Sequence, residues 1–290
     1  MITAMLSGNL GNHMFNYAIA RTVAERNCYK WGFDPVPKYD YHNGKEQMDF
    51  MEIDYGDLPK DITNTYNEIR TIHNGDNIQV YDPKVFSVPD NTDLVGGCWQ
   101  SEQYYNKSDL KKWFKIKESS VIQYEKTLSD VGLTLDDNMC IINFRGGEYC
   151  GFPELIIQPQ YYINAMNYMS QINPNIKFVI ITDDVNTASR FIPDVPVIHF
   201  GIGMDYYVIN KAKNLILANS SFSIMPTLLN DNLKCILAPK YWARHNVSDG
   251  YWAIGDQYYK GWKYMDRSGV VETYEQVKEQ AEGWRFGNGL

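Results

Sequence analysis

Cysteine is scarce and unpatterned in this chain of 290 residues: Cys28, Cys98, Cys140, Cys150 and Cys235 are an odd number at wide spacings, with no C-x-x-C. That excludes a disulfide framework and a zinc knuckle, and it fits a reducing compartment. Basic residues are also in short supply, with 27 Lys and Arg against 35 Asp and Glu for a net charge of −8. A nucleic-acid partner is therefore not expected. The densest basic runs, Lys111-Lys112 and Lys115-Ile116-Lys117, read as the solvated side of a helix end. No apolar stretch approaches the ~20 residues of a membrane span, and the N-terminus has no positively charged leader region. The reading is a soluble, cytoplasmic protein without a membrane span. His13, His42, His73, His199 and His245 never fall at metal-ligand spacing, so no protein-bound metal is expected. The glycine fingerprints of dinucleotide enzymes and P-loop proteins are missing too, which disfavours hydride transfer and P-loop chemistry.

What is present is a globular chain with a real core. Hydrophobic residues make up 44% and charged residues 21% of the sequence, and the length suggests about two domains. Aromatics stand out, with 22 Tyr, 12 Phe and 7 Trp; such rings either thicken cores or form stacking platforms for sugars and bases.

Ile2 to Leu6 reads as a strand, followed by a glycine-containing turn, Gly8-Asn9-Leu10-Gly11-Asn12, and a helix from Asn12 to Arg26 with apolar residues at helical spacing. A polar, turn-rich stretch follows, then an apolar run from Asp93 to Trp99 and a helix from Ser108 to Phe114. The second half alternates β-branched runs with helical patterns. The runs are Cys140 to Phe144, Lys177 to Thr182, Leu215 to Ala218 and Cys235 to Ala238. The helices are Pro159 to Ile172, Asn186 to Phe191, Asp205 to Lys213 and Phe222 to Leu229. This rhythm predicts a parallel sheet with crossover helices, whose ligands bind beyond the carboxyl ends of the strands.

Polar residues gather at those ends. Asn143-Phe144-Arg145-Gly146-Gly147-Glu148-Tyr149 follows the first of these strands. A guanidinium offers a planar fork to phosphate oxygens, and glycines let backbone N–H groups come close; an Arg–Glu surface pair in a turn fits the same residues. Thr182-Asp183-Asp184 follows the second strand and also suits an ordinary helix cap. Asn219-Ser220-Ser221-Phe222-Ser223 opens a helix after the third, where N–H and hydroxyl donors suit either phosphate or simple capping. Taken together, the three strand ends point to an anionic, nucleotide-like ligand with Arg145 as its main cation.

The motifs resemble those of glycosyltransferase family 11, the GDP-fucose-dependent α-1,2-fucosyltransferases. Gly8 to Ala18 (GNLGNHMFNYA) is similar to that family's G-G-L-G-N-Q-x-F-Q-Y-A, and Gly97 to Tyr105 (GCWQSEQYY) to its G-Y-W-Q-S-E-x-Y-F. Asn143 to Tyr149 falls where the family has H-x-R-R-G-D-Y, with Pro159 and Tyr161-Tyr162 following. Ile216 to Ser223 (ILANSSFS) resembles I-I-A-N-S-S-F-S, and Ala238 to Trp242 (APKYW) its A-P-K-x-W. The resemblance runs in family order from residue 8 to about 242. It implies an α/β fold of GT-B architecture, two Rossmann-like domains facing across a cleft: an acceptor-side domain at 1–130, a donor domain at 131–270 and a C-terminal helix or tail at 271–290. It further implies inverting, metal-independent transfer of L-fucose from GDP-β-L-fucose to a glycan hydroxyl, in α-1,2 linkage on a galactoside-type glycan, with the GDP-sugar as co-substrate and no cofactor. The same fold with a different GDP-deoxyhexose donor, or a non-catalytic nucleotide- or carbohydrate-binding protein, are the alternative readings.

The chain departs from the family in the arginine motif. The family's second arginine is Gly146 here, its histidine Asn143 and its aspartate Glu148. Inverting transfer needs stabilisation of the departing diphosphate and a base for the acceptor proton. Arg145 is assigned the first role and Glu148 or Glu154 the second. The resemblance makes Asp205 a donor-contacting acid, puts Asn219, Ser220, Ser221 and Phe222 at the GDP site and Asp183 and Asp184 at its guanosine end, and turns Asn12 and His13 across the cleft. Among the rings, Phe15, Tyr17, Tyr161, Tyr162, Tyr206 and Tyr207 read as packing. Several of Trp99, Tyr104, Tyr105, Tyr149, Phe152, Tyr241, Trp242, Tyr251 and Trp252 are expected to line the cleft.

Overall fold

In a computed structural model of the chain, residues 1–6, 8–34, 44–68, 70–73, 76–97, 99–247 and 256–289 are described. The wholly buried run Ile2–Ala4 forms β1, and Leu10–Arg26 forms α1, most of whose residues are buried because it is covered on several sides. The short α2 (Gly44–Met48) leads to β2 (Asn64–Asn67), the antiparallel pair β3 (Arg70–His73) and β4 (Asp76–Gln79), and β5 (Thr92–Val95). Strand β5 pairs in parallel with β1 on one side and β2 on the other. The apolar run expected from Asp93 to Trp99 is thus strand only as far as Val95, because Gly96 takes φ +76° and turns the chain. Helices α3 (Lys107–Trp113) and α4 (Glu118–Asp130) complete this half.

The second half carries the predicted rhythm. Its elements are β6 (Met139–Phe144), α5 (Pro159–Ile172), β7 (Lys177–Thr182), α6 (Val185–Phe191), β8 (Val197–Ile198), α7 (Ile202–Lys211), β9 (Asn214–Ile216), α8 (Ser221–Leu228) and β10 (Cys235–Pro239). Short β11 (Lys263–Met265) and β12 (Val271–Thr273) precede α9 (Tyr274–Gly287), which a Thr273–Gln276 capping box starts. The sheet order is β12-β11-β10-β9-β6-β7-β8, parallel except between β11 and β12. Pro159 occupies the first turn of α5, where its missing N–H costs nothing.

The architecture is α/β: a three-stranded parallel sheet in the first half and a seven-stranded, mostly parallel sheet in the second, with helices between the strands. Among the described residues the N-terminal sheet has only three strands, fewer than a full Rossmann domain. One apolar cluster runs from α1 through α8 to Tyr264 and α9, so both units share a core on one side. The chain also returns late to the first unit. Tyr259 donates its hydroxyl to the Gln100 carbonyl at 2.8 Å, and the Tyr81 N–H donates to Asp256 Oδ2 at 2.6 Å. Among the described residues no helix is long and apolar enough to cross a membrane.

Candidate active site

Two helix N-termini meet at the base of the cleft. The Gly11 position, in the first turn of α1, lies so close to α8 that a Cβ there would stand 2.3 Å from the Ser221 carbonyl carbon. Only glycine allows that approach. The helix starts at Leu10, with Asn9 rather than Asn12 as its N-cap. Neither Asn9 nor Ser220 makes a side-chain cap bond, and neither helix has an acid in its first turn. The N–H groups of Leu10, Gly11, Ser221 and Phe222 have no acceptor among the described residues. Two positive helix ends, uncapped and unneutralised, thus converge from the two units.

They border a cavity of ≈ 320 Å³ whose lining includes Asn9, Leu10 and Asn12 from α1, Gln47 from α2, and Asn143, Arg145, Asp183, His199, Asp205 and Ser221 from the second unit. Gln100, from the segment after β5, donates Nε2 to Asn12 Oδ1 at 3.3 Å and accepts from Gln257 at 2.7 Å. The glutamine of the W-Q-S-E segment therefore positions Asn12, leaving the asparagine's Nδ2 as a donor.

Beyond β6, Arg145 is 18% exposed and held on both sides: it donates Nη1 to Asp183 Oδ2, and Nη2 to Glu148 Oε1 at 2.8 Å. Its guanidinium stands 5.1 Å from the centre of the Tyr149 ring. The adjacent glycine amides, expected to face phosphate, are engaged instead with carboxylates. Gly146 N–H donates to Asp183 Oδ1 at 2.9 Å and Gly147 N–H to Asp184 Oδ2 at 3.3 Å. At Gly146 a Cβ would lie 2.6 Å from Asp184 Cβ, so the place of the family's second arginine has no room for a side chain. Among the described residues Arg145 is the only lysine or arginine on the lining, against the carboxylates of Glu148, Asp183 and Asp205.

The other expected residues divide. Asn143, Ser220, Ser221 and Phe222 line the cavity. Asn143 is 4% exposed, and its Oδ1 has no hydrogen-bond partner among the described residues. Asp184 caps α6 by accepting from the Thr187 N–H at 3.0 Å. Burial raises its pKa, but the bonds from Thr187, Cys150 and Gly147 outweigh this and hold it below the usual carboxylate range. Asn219 donates Nδ2 to the Leu155 carbonyl at 2.7 Å and so pins the loop that carries Glu154. His13 is fully buried in α1. None of Asp184, Asn219, His13 and Glu154 is on the lining.

Asp205, 4% exposed, sits in the first turn of α7. Burial pushes its pKa up to about 6, against bonds from the Phe200 N–H at 3.0 Å and from His199 Nδ1 at 2.7 Å. His199 lies at no metal-ligand spacing in the sequence and is not among the site residues the motifs point to. The signal available was its place six residues before Asp205 across a glycine-bearing turn, Gly201-Ile202-Gly203. Gln47 and Gln100 carried no such signal. Among the described residues no group of three His, Cys, Asp or Glu side chains could hold a metal ion.

The six rings read as packing are buried: Phe15, Tyr17, Tyr161, Tyr162, Tyr206 and Tyr207. Of those expected in the cleft, Tyr149 alone among the described residues lines it. Trp99, Tyr104 and Trp242 belong to the core, Trp99 because φ +50° and a bond from its N–H to Glu68 turn it inward. Phe152 is exposed, Tyr105 and Tyr241 are half-buried, and Tyr251 and Trp252 lie outside the described residues.

No family model matches the chain. An α-1,2-colitosyltransferase of Escherichia coli is 26% identical, over 83% of this chain and 92% of that protein. Among solved structures, the α-1,6-fucosyltransferase NodZ soaked with GDP-fucose covers 81% of this chain and 94% of its own at 11% identity and a TM-score of 0.46. The fucosyltransferase NodZ from Bradyrhizobium covers 81% and 94% at 12% identity and a TM-score of 0.43. POFUT1 in complex with GDP-fucose covers 81% and 96% at 7% identity and a TM-score of 0.44.

Proposed function

We propose that this chain is an inverting glycosyltransferase that moves a deoxyhexose, L-fucose in the first instance, from its GDP derivative to a sugar hydroxyl, in α-1,2 linkage on a galactoside-type glycan. The observation that carries this reading is the meeting of the α1 and α8 N-termini with Arg145 at one cavity. A diphosphate is the ligand that such a cluster of unused N–H donors and one guanidinium suits. The relative named for transfer of colitose, another deoxyhexose, supports the class of reaction and sets the alternative donor.

In the reaction the acceptor oxygen attacks the anomeric carbon, the bond from that carbon to the β-phosphate oxygen breaks, and GDP leaves with the electron pair. Negative charge grows on the diphosphate as it departs, and fixed donors already in place lower that barrier most. Arg145 and the two helix ends supply them. Arg145 must then share its guanidinium with, or give up, Asp183 and Glu148, so the helix ends carry more of the load than a second arginine leaves to them elsewhere. Glu148 takes the acceptor proton through Oε2, since Oε1 is on Arg145; it lines the cavity, whereas Glu154 stands outside. Asp205 accepts from the nucleobase, and Asn143 Oδ1 offers an unused acceptor to a donor or acceptor hydroxyl. No metal takes part, and the reaction proceeds in the cytoplasm, in line with the unpaired state of Cys28, Cys140, Cys150 and Cys235.

The test is turnover of GDP-fucose and GDP-colitose with a panel of galactoside acceptors. Transfer with net inversion supports the reading, and the faster donor identifies the sugar. Failure of both donors with every acceptor, together with undetectable GDP binding, refutes it.

A further inference from the structure

His199 follows β8 at the wall of the cavity, and its contact with Asp205 is used by nothing described so far. Its Nδ1 is 2.7 Å from Asp205 Oδ2, while the Phe200 N–H meets Asp205 Oδ1 at 3.0 Å. Each carboxylate oxygen therefore has one bond and retains capacity for another. The side chain of Asp205 is 5% exposed and that of His199 43%, so the acid is deep and the imidazole reaches the opening. The charged surroundings are sparse. Asp183 is the other carboxylate that acts on Asp205, and Arg145 is bound to it. Helix α2 contributes the neutral Gln47, and α4 contributes Glu125, which accepts from the Tyr207 hydroxyl, and the neutral Tyr124.

We propose that His199 is a specificity-determining positioning residue: by donating Nδ1–H to Asp205 it keeps that carboxylate ionised and fixed in plane, so that the site selects a base presenting an N–H beside an NH₂, as guanine does. The inference rests on the GDP-sugar reading above. A carboxylate takes the two adjacent guanine donors in parallel, a fork geometry that an adenine edge or a protonated acid cannot reproduce. The dependence on pH has a definite sign. Burial favours the neutral acid and the imidazole contact opposes it, so guanine binding is present above the Asp205 titration at about 6 and is lost as pH falls through it. Removing the imidazole takes away a stabilising donor and moves that loss to higher pH.

The experiment is calorimetric titration of the full-length protein with GDP, IDP and XDP between pH 5 and 8, for wild type, His199→Ala and His199→Gln, with donor KM and kcat alongside. For the wild type we expect GDP to bind about ten-fold more tightly than IDP, which lacks the amino donor, and XDP, with an oxygen there, to bind weakest. In His199→Ala the midpoint of GDP affinity should rise by about one pH unit and the preference over IDP should shrink. Donor KM should rise with little change in kcat. His199→Gln, which keeps an N–H donor, should recover part of both. An unchanged midpoint and preference in His199→Ala, with wild type binding GDP normally, overturns the role of His199 alone. Absence of GDP binding by the wild type overturns the donor reading and this role with it.

Discussion

Restoring an arginine at position 146 should damage the protein rather than improve it. The resemblance makes Gly146→Arg look like the repair of a missing cation, but the backbone there leaves no room. The new Cβ would sit 2.6 Å from Asp184 Cβ, 3.1 Å from its Cγ and 2.9 Å from its Oδ2. Asp184 cannot swing aside freely, because its two oxygens hold the first turn of α6 and the Gly147 amide. Either the cap breaks, at about 1 kcal/mol, or the 145–151 loop moves and overpacking costs about 1–3 kcal/mol. Either route, at about 1–3 kcal/mol, corresponds to a fall in Tm of roughly 2–5 °C for a chain of this size. Gly146→Ala separates shape from charge, since it has the clash without the cation. Thermal unfolding and GDP titration of both variants check this: both should lose stability, and neither should bind GDP more tightly than wild type. A Gly146→Ala protein with wild-type Tm, or a Gly146→Arg protein with raised GDP affinity, refutes the reasoning.

Other outcomes follow from the same geometry. Arg145→Ala should weaken GDP binding by about ten- to a hundred-fold, the worth of charge-assisted bonds to a diphosphate; release of GDP at the wild-type rate would remove Arg145 from the grip. Glu148→Gln should cut turnover far more than GDP affinity, and Glu154→Gln should not; the reverse result in paired kinetics would transfer the base role. Lys240, only 7% exposed, pairs with Glu272, so Lys240→Ala should cost about 3–5 kcal/mol. Lys240→Met with Glu272→Leu should recover most of it in chemical denaturation. Asp93 is raised in pKa by burial, and its Oδ1 has no partner among the described residues. The folded protein therefore holds that proton more tightly than the unfolded chain, and stability from this group declines as pH rises through the carboxylate range. Asp93→Asn should raise Tm at neutral pH and flatten that decline, as melting curves at pH 4 and 7 will show.

The second unit was legible because its strands are apolar and buried on both faces, and because α5 carries its own start signal at Pro159. Strands β11 and β12 were not, since three residues at a sheet edge leave no periodicity to read. The cluster of site residues at the strand ends was legible for the same topological reason. Which groups each side chain would meet was not. Arg145 finds Asp183 across 38 positions of sequence, and that bond, with those to the glycine amides, makes the loop a closed electrostatic unit rather than an open phosphate cradle. Trp99 looked like a cleft ring because turns and glycines surround it. Its burial depends on a backbone bond to Glu68, thirty-one residues away.

The contact of Gly11 with the Ser221–Phe222 backbone fixes how the two units can move. With backbone against backbone there, and the 256–262 return bonded to Tyr81 and Gln100 of the first unit, that contact is placed to act as a fulcrum. Any rocking of the two units is therefore expected to be least at that contact and greatest toward the exposed lining residues His199 and Ile202 at the rim. Opening would admit a nucleotide past the rim without loosening the donors that hold its diphosphate, and closing would squeeze water from the rim inward. Substitution at the fulcrum and substitution at the rim should therefore divide cleanly, the first disturbing the chemical step and the second the rates of ligand entry and exit.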